Sequence, residues 1–155
     1  MMEPGSTGKG LLHTFLQREG TWLARGTYTD LQGKRSRFEG RAEISHSRET
    51  WINRSWMELE GRPPVRIEND YEIRPFGPGE LQTTWQSENQ AIGRLKGRFT
   101  LVGDTIISDF ATDDGLYCGF EFLLLQADGS YLNRGVFFKG ARLFSIWEAV
   151  LARSG

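Results

Sequence analysis

From Trp22 onward, polar and apolar positions of this chain alternate with a period of two. Phe38, Gly40, Ala42 and Ile44 alternate with Arg37, Glu39, Arg41 and Glu43. Val65, Ile67, Asn69, Tyr71 and Ile73 alternate with Arg66, Glu68, Asp70, Glu72 and Arg74. Successive side chains of a strand point to opposite faces, so each stretch predicts a strand with one dry and one wet face. Turn signals separate the remaining stretches, among them Gly61-Arg62-Pro63-Pro64, Asp113-Asp114-Gly115 and Asp128-Gly129. The predicted strands cover residues 22–29, 35–46, 49–59, 64–75, 80–87, 92–101, 104–111, 115–126, 130–139 and 141–152. The links are too short for crossover helices, so each strand should run antiparallel to the next. The expected fold is all-β, a single up-and-down antiparallel β-barrel of about ten strands, whose closure hides the sheet edges. A two-sheet sandwich is the rival, and it would want longer cross-overs.

The two ends break the rhythm. Residues 1–10 are glycine-rich and polar and read as a flexible start. Leu11, Leu12, Phe15 and Leu16 recur at helical spacing until Gly20, which predicts a short helix over 11–18. It would cover an open barrel end or pack on the outer wall. The expected organisation is therefore a flexible segment 1–10 and one barrel domain, 11–155, that includes the helix. Near the C-terminus, Leu143, Ile146, Trp147, Val150 and Leu151 fit a helix as well as a strand. A strand is preferred because Phe144, Ile146 and Trp147 favour sheets and the first strand otherwise lacks a partner.

Alternation also nominates the lining of the interior. Asn69 and Tyr71 share a face with Ile67 and Ile73; Trp51, Asn53, Ser55 and Met57 form a second mixed row. Thr83, Trp85 and Ser87 form a third, and Cys118, Phe120, Phe122 and Leu124 are read as an apolar wall, with Asn133 and Phe137 facing the same space. The expected ligand-binding residues are Trp51, Asn53, Ser55, Met57, Asn69, Tyr71, Trp85, Phe120, Phe122 and Asn133. Mostly apolar surface with a few orienting polar groups suits a small hydrophobic or aromatic ligand. A core filled by side chains and trapped water would satisfy the same polar groups. Arg94, Lys96 and Arg98 coat the outer face in this register. A slip of one residue would turn them inward, where an arginine could meet a carboxylate. Arg134 and Arg142 are further candidates for that role.

Charge and composition narrow the function classes. With 19 basic against 20 acidic residues the formal charge is -1, so no global basic field points to nucleic acid. No apolar run is long enough to span a bilayer, and no secretory signal opens the chain. Cys118 stands alone, so an internal disulfide is ruled out. The expected location is cytoplasmic. Ile52 and Trp56 share the outer face and suggest a homodimer, unless the N-terminal helix shields them.

Reactive side chains are sparse. His13 and His46 have no metal-ligand partner at useful spacing, so no metal site is expected. One histidine would suffice for a haem in an apolar cavity. Ser45-His46-Ser47 and Asp113-Asp114-Gly115 suit tight turns better than catalysis. No motif here names a reaction or requires a cofactor.

Gly20-Thr21-Trp22 resembles the Gly-x-Trp opening of the calycin superfamily, the lipocalins and their relatives. The resemblance covers roughly residues 11–153. It implies that Trp22 closes the base of the barrel and that a late arginine crosses it, with Arg142 nearest in position and Arg153 next. Ten strands without a signal peptide or disulfides are similar to the fatty-acid-binding proteins and nitrobindin-like haem proteins, although no histidine follows His46. Phe15, Gly20 and Trp22, with Gly119, Glu121 and Arg134-Gly135, also resemble the bilin lyases, which carry a tetrapyrrole to a cysteine of another protein. The resemblance implies carriage of a small hydrophobic ligand, with haem or a bilin as candidates. A chromophore lyase, or another small-molecule enzyme, and a non-catalytic scaffold with a filled core are the alternatives.

Overall fold

A computed structural model of the chain describes residues 12–89 and 91–154. It contains ten strands: β1 (Gly20–Thr29), β2 (Arg35–His46), β3 (Trp51–Leu59), β4 (Val65–Ile73), β5 (Gln82–Asn89), β6 (Gly93–Val102), β7 (Thr105–Thr112), β8 (Tyr117–Leu125), β9 (Tyr131–Lys139) and β10 (Arg142–Ser154). Each pairs antiparallel with its sequence neighbour, and β10 returns to β1 from Thr21↔Ser154 to Thr29↔Ile146, which closes the barrel. The all-β, up-and-down, antiparallel expectation is what the structure shows. The C-terminal stretch is a strand, and closure is the reason. It supplies β1 with hydrogen-bond partners that a helix would leave missing.

The expected helix over 11–18 is not formed by residues 13–18, and Leu11 lies outside the described residues, as do residues 1–10. Thr14–Arg18 makes one turn instead, with Arg18 N donating to Thr14 O at 3.1 Å, and Leu16 sits at φ 72°. Such a φ does not propagate a right-handed helix. The turn inserts Phe15 and Leu16 into the base of the barrel, where both are buried against Trp22 and Tyr131. Burial of these large side chains, and not helix periodicity, sets the backbone here.

Trp22 plugs this base, 1% exposed, as the Gly-x-Trp resemblance implies. Its arginine is Arg153, whose guanidinium lies 6.0 Å from the indole and donates to Glu19 O at 2.8 Å. The expectation for Arg142 is corrected. Arg142 begins β10 and so lies at the opposite end of the barrel from Trp22, which pairs with Arg153 in register. Gly20 sits beside it at φ 154°, a backbone conformation that side-chain-bearing residues rarely adopt. His13 completes the base. Its imidazole is bonded to the Tyr131 hydroxyl (2.8 Å) and to Gly103 O (2.9 Å), and Thr14 N donates to the same hydroxyl (3.2 Å). Burial lowers the His13 pKa, opposed by the Gly103 carbonyl and Asp104. The neutral ring with Nε2–H donating to Gly103 and Nδ1 accepting from Tyr131 satisfies every group.

No helix among the described residues is long and apolar enough to cross a membrane.

Candidate functional site

Above the base the inward faces change character. On β3, β4 and β5, Asn53, Ser55, Asn69, Tyr71 and Ser87 line the lumen, with Asn53↔Tyr71↔Ser87 in one cross-strand row. Ser55 Oγ donates to Asn69 O (3.2 Å), and Asn89 Nδ2 donates to Asn69 Oδ1 (3.2 Å). Asn53 Oδ1 and Ser87 Oγ are buried without a partner. Buried polar atoms are almost always satisfied, so two orphans flanking one tyrosine are a feature to explain.

On the opposite wall a repeated device shapes the interior. Trp147 on β10 pairs with Gly135 on β9, and Gly135 pairs with Glu121 on β8. Because Gly135 has no side chain, the indole lies flat across it, in space that a Cβ would occupy. Its Nε1 thereby reaches a strand further and donates to Glu121 Oε2 at 3.1 Å. The same arrangement recurs at Trp85, Gly97 and Ser108 on β5, β6 and β7, with Trp85 Nε1 donating to Ser108 Oγ at 3.2 Å. Phe110 lies over Gly119 in the same way. Rings laid along the wall leave the middle open. Inward-facing Ser55, Met57, Tyr71, Phe110, Glu121, Phe137 and Trp147 are only half-buried, so water reaches the surface they face.

Glu121 is the one ionisable carboxylate whose strand position points into this middle zone among the described residues. Desolvation raises its pKa, while hydrogen bonds from Asn133 and Trp147 oppose that shift. Tyr71 is pushed far above the ordinary phenol range, first by burial and then by the negative charge of Glu121. The lumen therefore carries an acidic focus bordered by a tyrosine that stays protonated.

The lumen is also accessible from the side. β4 pairs with β3 along its whole length but with β5 only at Tyr71, Glu72 and Ile73. Beyond them the strands part, and a cleft of about 780 Å³ opens, whose lining includes Ile67, Tyr71, Ser87 and Asn89 from the inner face and Arg66 and Arg94 from the outer.

Of the expected lining residues, the structure places Asn53, Ser55, Met57, Asn69, Tyr71, Trp85 and Asn133 on the inner face. Trp51 faces inward at the base, stacked on His46 at 4.0 Å. Phe120 and Phe122 are corrected: they are 45% and 43% exposed and point outward. The β8 register places Gly119, Glu121 and Leu123 inside instead. Apolar character misled the assignment, because this outer wall is itself apolar. Glu121 was missed as a lining residue for that reason. The available signal was the glycine series: Gly97, Gly119 and Gly135 all occupy inward positions, and Gly119 puts Glu121 on the same face. Arg94, Lys96 and Arg98 lie outside, paired with Glu88, Asp113 and Asp109. Arg134 is outside with Glu148.

Both histidines are engaged at the base. His13 uses both ring nitrogens at the base, and His46 bonds Leu16 O through Nε2 at 2.8 Å. Among the described residues no three of His, Cys, Asp and Glu gather as a metal site.

Fold and lining together describe a closed ten-stranded antiparallel barrel whose inward faces mix polar and apolar side chains. The S-type phycobiliprotein lyase CPES of Guillardia theta has a similar structure: the match covers 97% of both chains at a TM-score of 0.66 and 8% identity. A Nitrosomonas europaea chain provisionally named AttH aligns over 86% of this chain and 49% of its own, at 10% identity and a TM-score of 0.32, which is too low to inform the fold. No family model and no curated protein matches the chain.

Proposed function

We propose that the barrel binds a small, flat, conjugated molecule bearing N–H donors, and that a linear tetrapyrrole is the chemical type that fits. The observation that carries this reading is Glu121, a largely buried carboxylate directed into a lumen walled by flat-lying rings. Pyrrole N–H groups would donate to it in charge-assisted hydrogen bonds, and a protonated pigment would return its pKa toward the ordinary range. Pigment carbonyls would accept from the Ser87 and Tyr71 hydroxyls and a further N–H would donate to Asn53 Oδ1, which partners the two buried atoms left unpaired, Ser87 Oγ and Asn53 Oδ1. Fatty acids fit worse, since their carboxylate would meet Glu121 and no inward arginine. A filled core fits worse too, since the inward side chains retain contact with water.

The barrel's likeness to a phycobiliprotein lyase supports the same ligand class and favours a second reading, in which the pigment is passed to an acceptor cysteine. Absorbance and fluorescence titration with biliverdin, phycocyanobilin, haemin and oleate tests both readings. A saturable bilin complex with a red-shifted band is expected, weakened at least about tenfold in Glu121→Gln, a loss of roughly 1.4 kcal/mol. Absence of saturable bilin binding up to about 100 μM would remove the proposal. Incubating the loaded protein with an acceptor thiol protein then separates carriage from transfer.

A further inference from the structure

The outer surface of the barrel is divided. On β2 to β6 nearly every outward position is charged or polar, as in Arg37, Glu39, Arg41 and Glu43 on β2 and Arg94, Lys96 and Arg98 on β6. Trp56 is the large aromatic on this side, and Arg66 covers it at 4.2 Å. Arg66 of β4 thereby partly shields Trp56.

On β8, β9 and β10 most outward positions are apolar, with the Arg134–Glu148 pair among them. Phe120, Phe122, Leu124, Ile146 and Val150 are 45%, 43%, 37%, 42% and 47% exposed. They offer on the order of 400 Å² of apolar surface, the size of the largest apolar patch on a typical monomer, which is often functional. These five side chains supply about half of the roughly 800 Å² that each partner gives to a standard interface, and Arg134 and Glu148 lie among them.

Its register makes it self-complementary. The outward pairs of β9 and β10 are Val136↔Ile146, Arg134↔Glu148 and Leu132↔Val150. A two-fold axis lying along the line between these strands places β9 of one copy over β10 of the other at the same height. Apolar side chains then meet apolar side chains, and Arg134 meets Glu148 of the partner. Arg134 and Glu148 already pair within the chain at 3.1 Å, so two neutral faces approach without like-charge repulsion. A closed two-fold arrangement is also the commonest for soluble oligomers.

We propose that this protein forms a two-fold dimer through the outer faces of β9 and β10, flanked by β8, leaving the β4–β5 cleft of each copy free. Sedimentation equilibrium of the full chain tests it. A dimer is expected at a protomer concentration on the order of 10 μM, the weak end for such an interface. Val150→Asp should sediment as a monomer with an unchanged far-UV spectrum. Arg134→Glu should weaken dimerisation at least about tenfold by opposing two glutamates, and the double variant Arg134→Glu/Glu148→Arg should restore it to within about threefold. Gln86→Glu, on the charged side, should leave it intact. A wild-type monomer up to about 100 μM overturns the proposal. So does a double variant no better than the single one, or a monomer whose apolar face instead drives co-sedimentation with phosphatidylcholine vesicles.

Discussion

Trp85–Gly97–Ser108 and Trp147–Gly135–Glu121 are built alike and do different work. In each, a tryptophan lies over a glycine on the adjacent strand and its indole N–H reaches a side chain one strand beyond. Trp85 and Ser108 are 5% and 1% exposed, and the unit is a closed piece of core. Trp147 and Glu121 are less completely buried, and here the acceptor, Glu121, is a carboxylate that desolvation holds above its ordinary pKa. One packing geometry thus yields a structural plug where the acceptor is neutral and dry, and a binding wall where it is ionisable and wetted.

Replacing the tryptophans separates the two units most sharply. Trp85→Ala should cost about 3–5 kcal/mol through the cavity it leaves, as should Trp22→Ala at the base. Trp147→Ala should cost roughly half as much, since less of its surface is removed from water. Urea denaturation measures all three. Equal losses at Trp85 and Trp147 would mean that both units are core.

Gly97→Ala comes next, at about 1–3 kcal/mol, because its Cβ meets the Trp85 ring and the Asp109 carbonyl in a packed region. Gly135→Ala should cost less, the Trp147 ring yielding into the lumen. It should instead abolish bilin binding and lengthen or break the Trp147–Glu121 bond, visible as a shift in tryptophan fluorescence.

The pH dependence divides the wet unit from the base. Glu121 binds a proton more tightly when folded, so its contribution to stability is complete below the ordinary carboxylate pKa and is lost as pH rises through the raised value. His13 has the opposite sign. Its lowered pKa means stability is present above the ordinary imidazole value and is lost as pH falls through the depressed one. Urea midpoints should lose the decline that sets in above the ordinary carboxylate pKa in Glu121→Gln, and the decline that sets in below the ordinary imidazole pKa in His13→Gln. Unchanged profiles would show that neither group is held as described.

Ser87→Ala gives the smallest effect, within about 0.5 kcal/mol, because its hydroxyl has no partner to lose. A measurable loss of bilin affinity without a loss of stability would mark that hydroxyl as a ligand contact.

Much of the barrel is legible along the chain. The paired alternations in 35–46 and 65–73 define strand and face together, because charged residues occupy every second position and cannot be buried alone. The same rule failed on β8. Both of its faces carry apolar residues, so hydrophobicity does not say whether Phe120 or Leu123 is inside. The turn at Thr14–Arg18 was misread as helix because Leu12, Phe15 and Leu16 fit that spacing, yet a chain entering a barrel base buries the same residues through one turn. The arginine crossing Trp22 was ambiguous between Arg142 and Arg153 until the β1–β10 register paired Trp22 with Arg153.

The chain by itself determined an antiparallel, closed β architecture, since period-two patterning joined by short turns leaves strands no other partners than their neighbours. Only the tertiary structure decided what faces the hollow. Which side of β8 turns inward depends on its registry with β7 and β9, and Glu121 acquires its tryptophan partner through a glycine on a strand between them. Such three-strand geometry is non-local, so no window of sequence contains it.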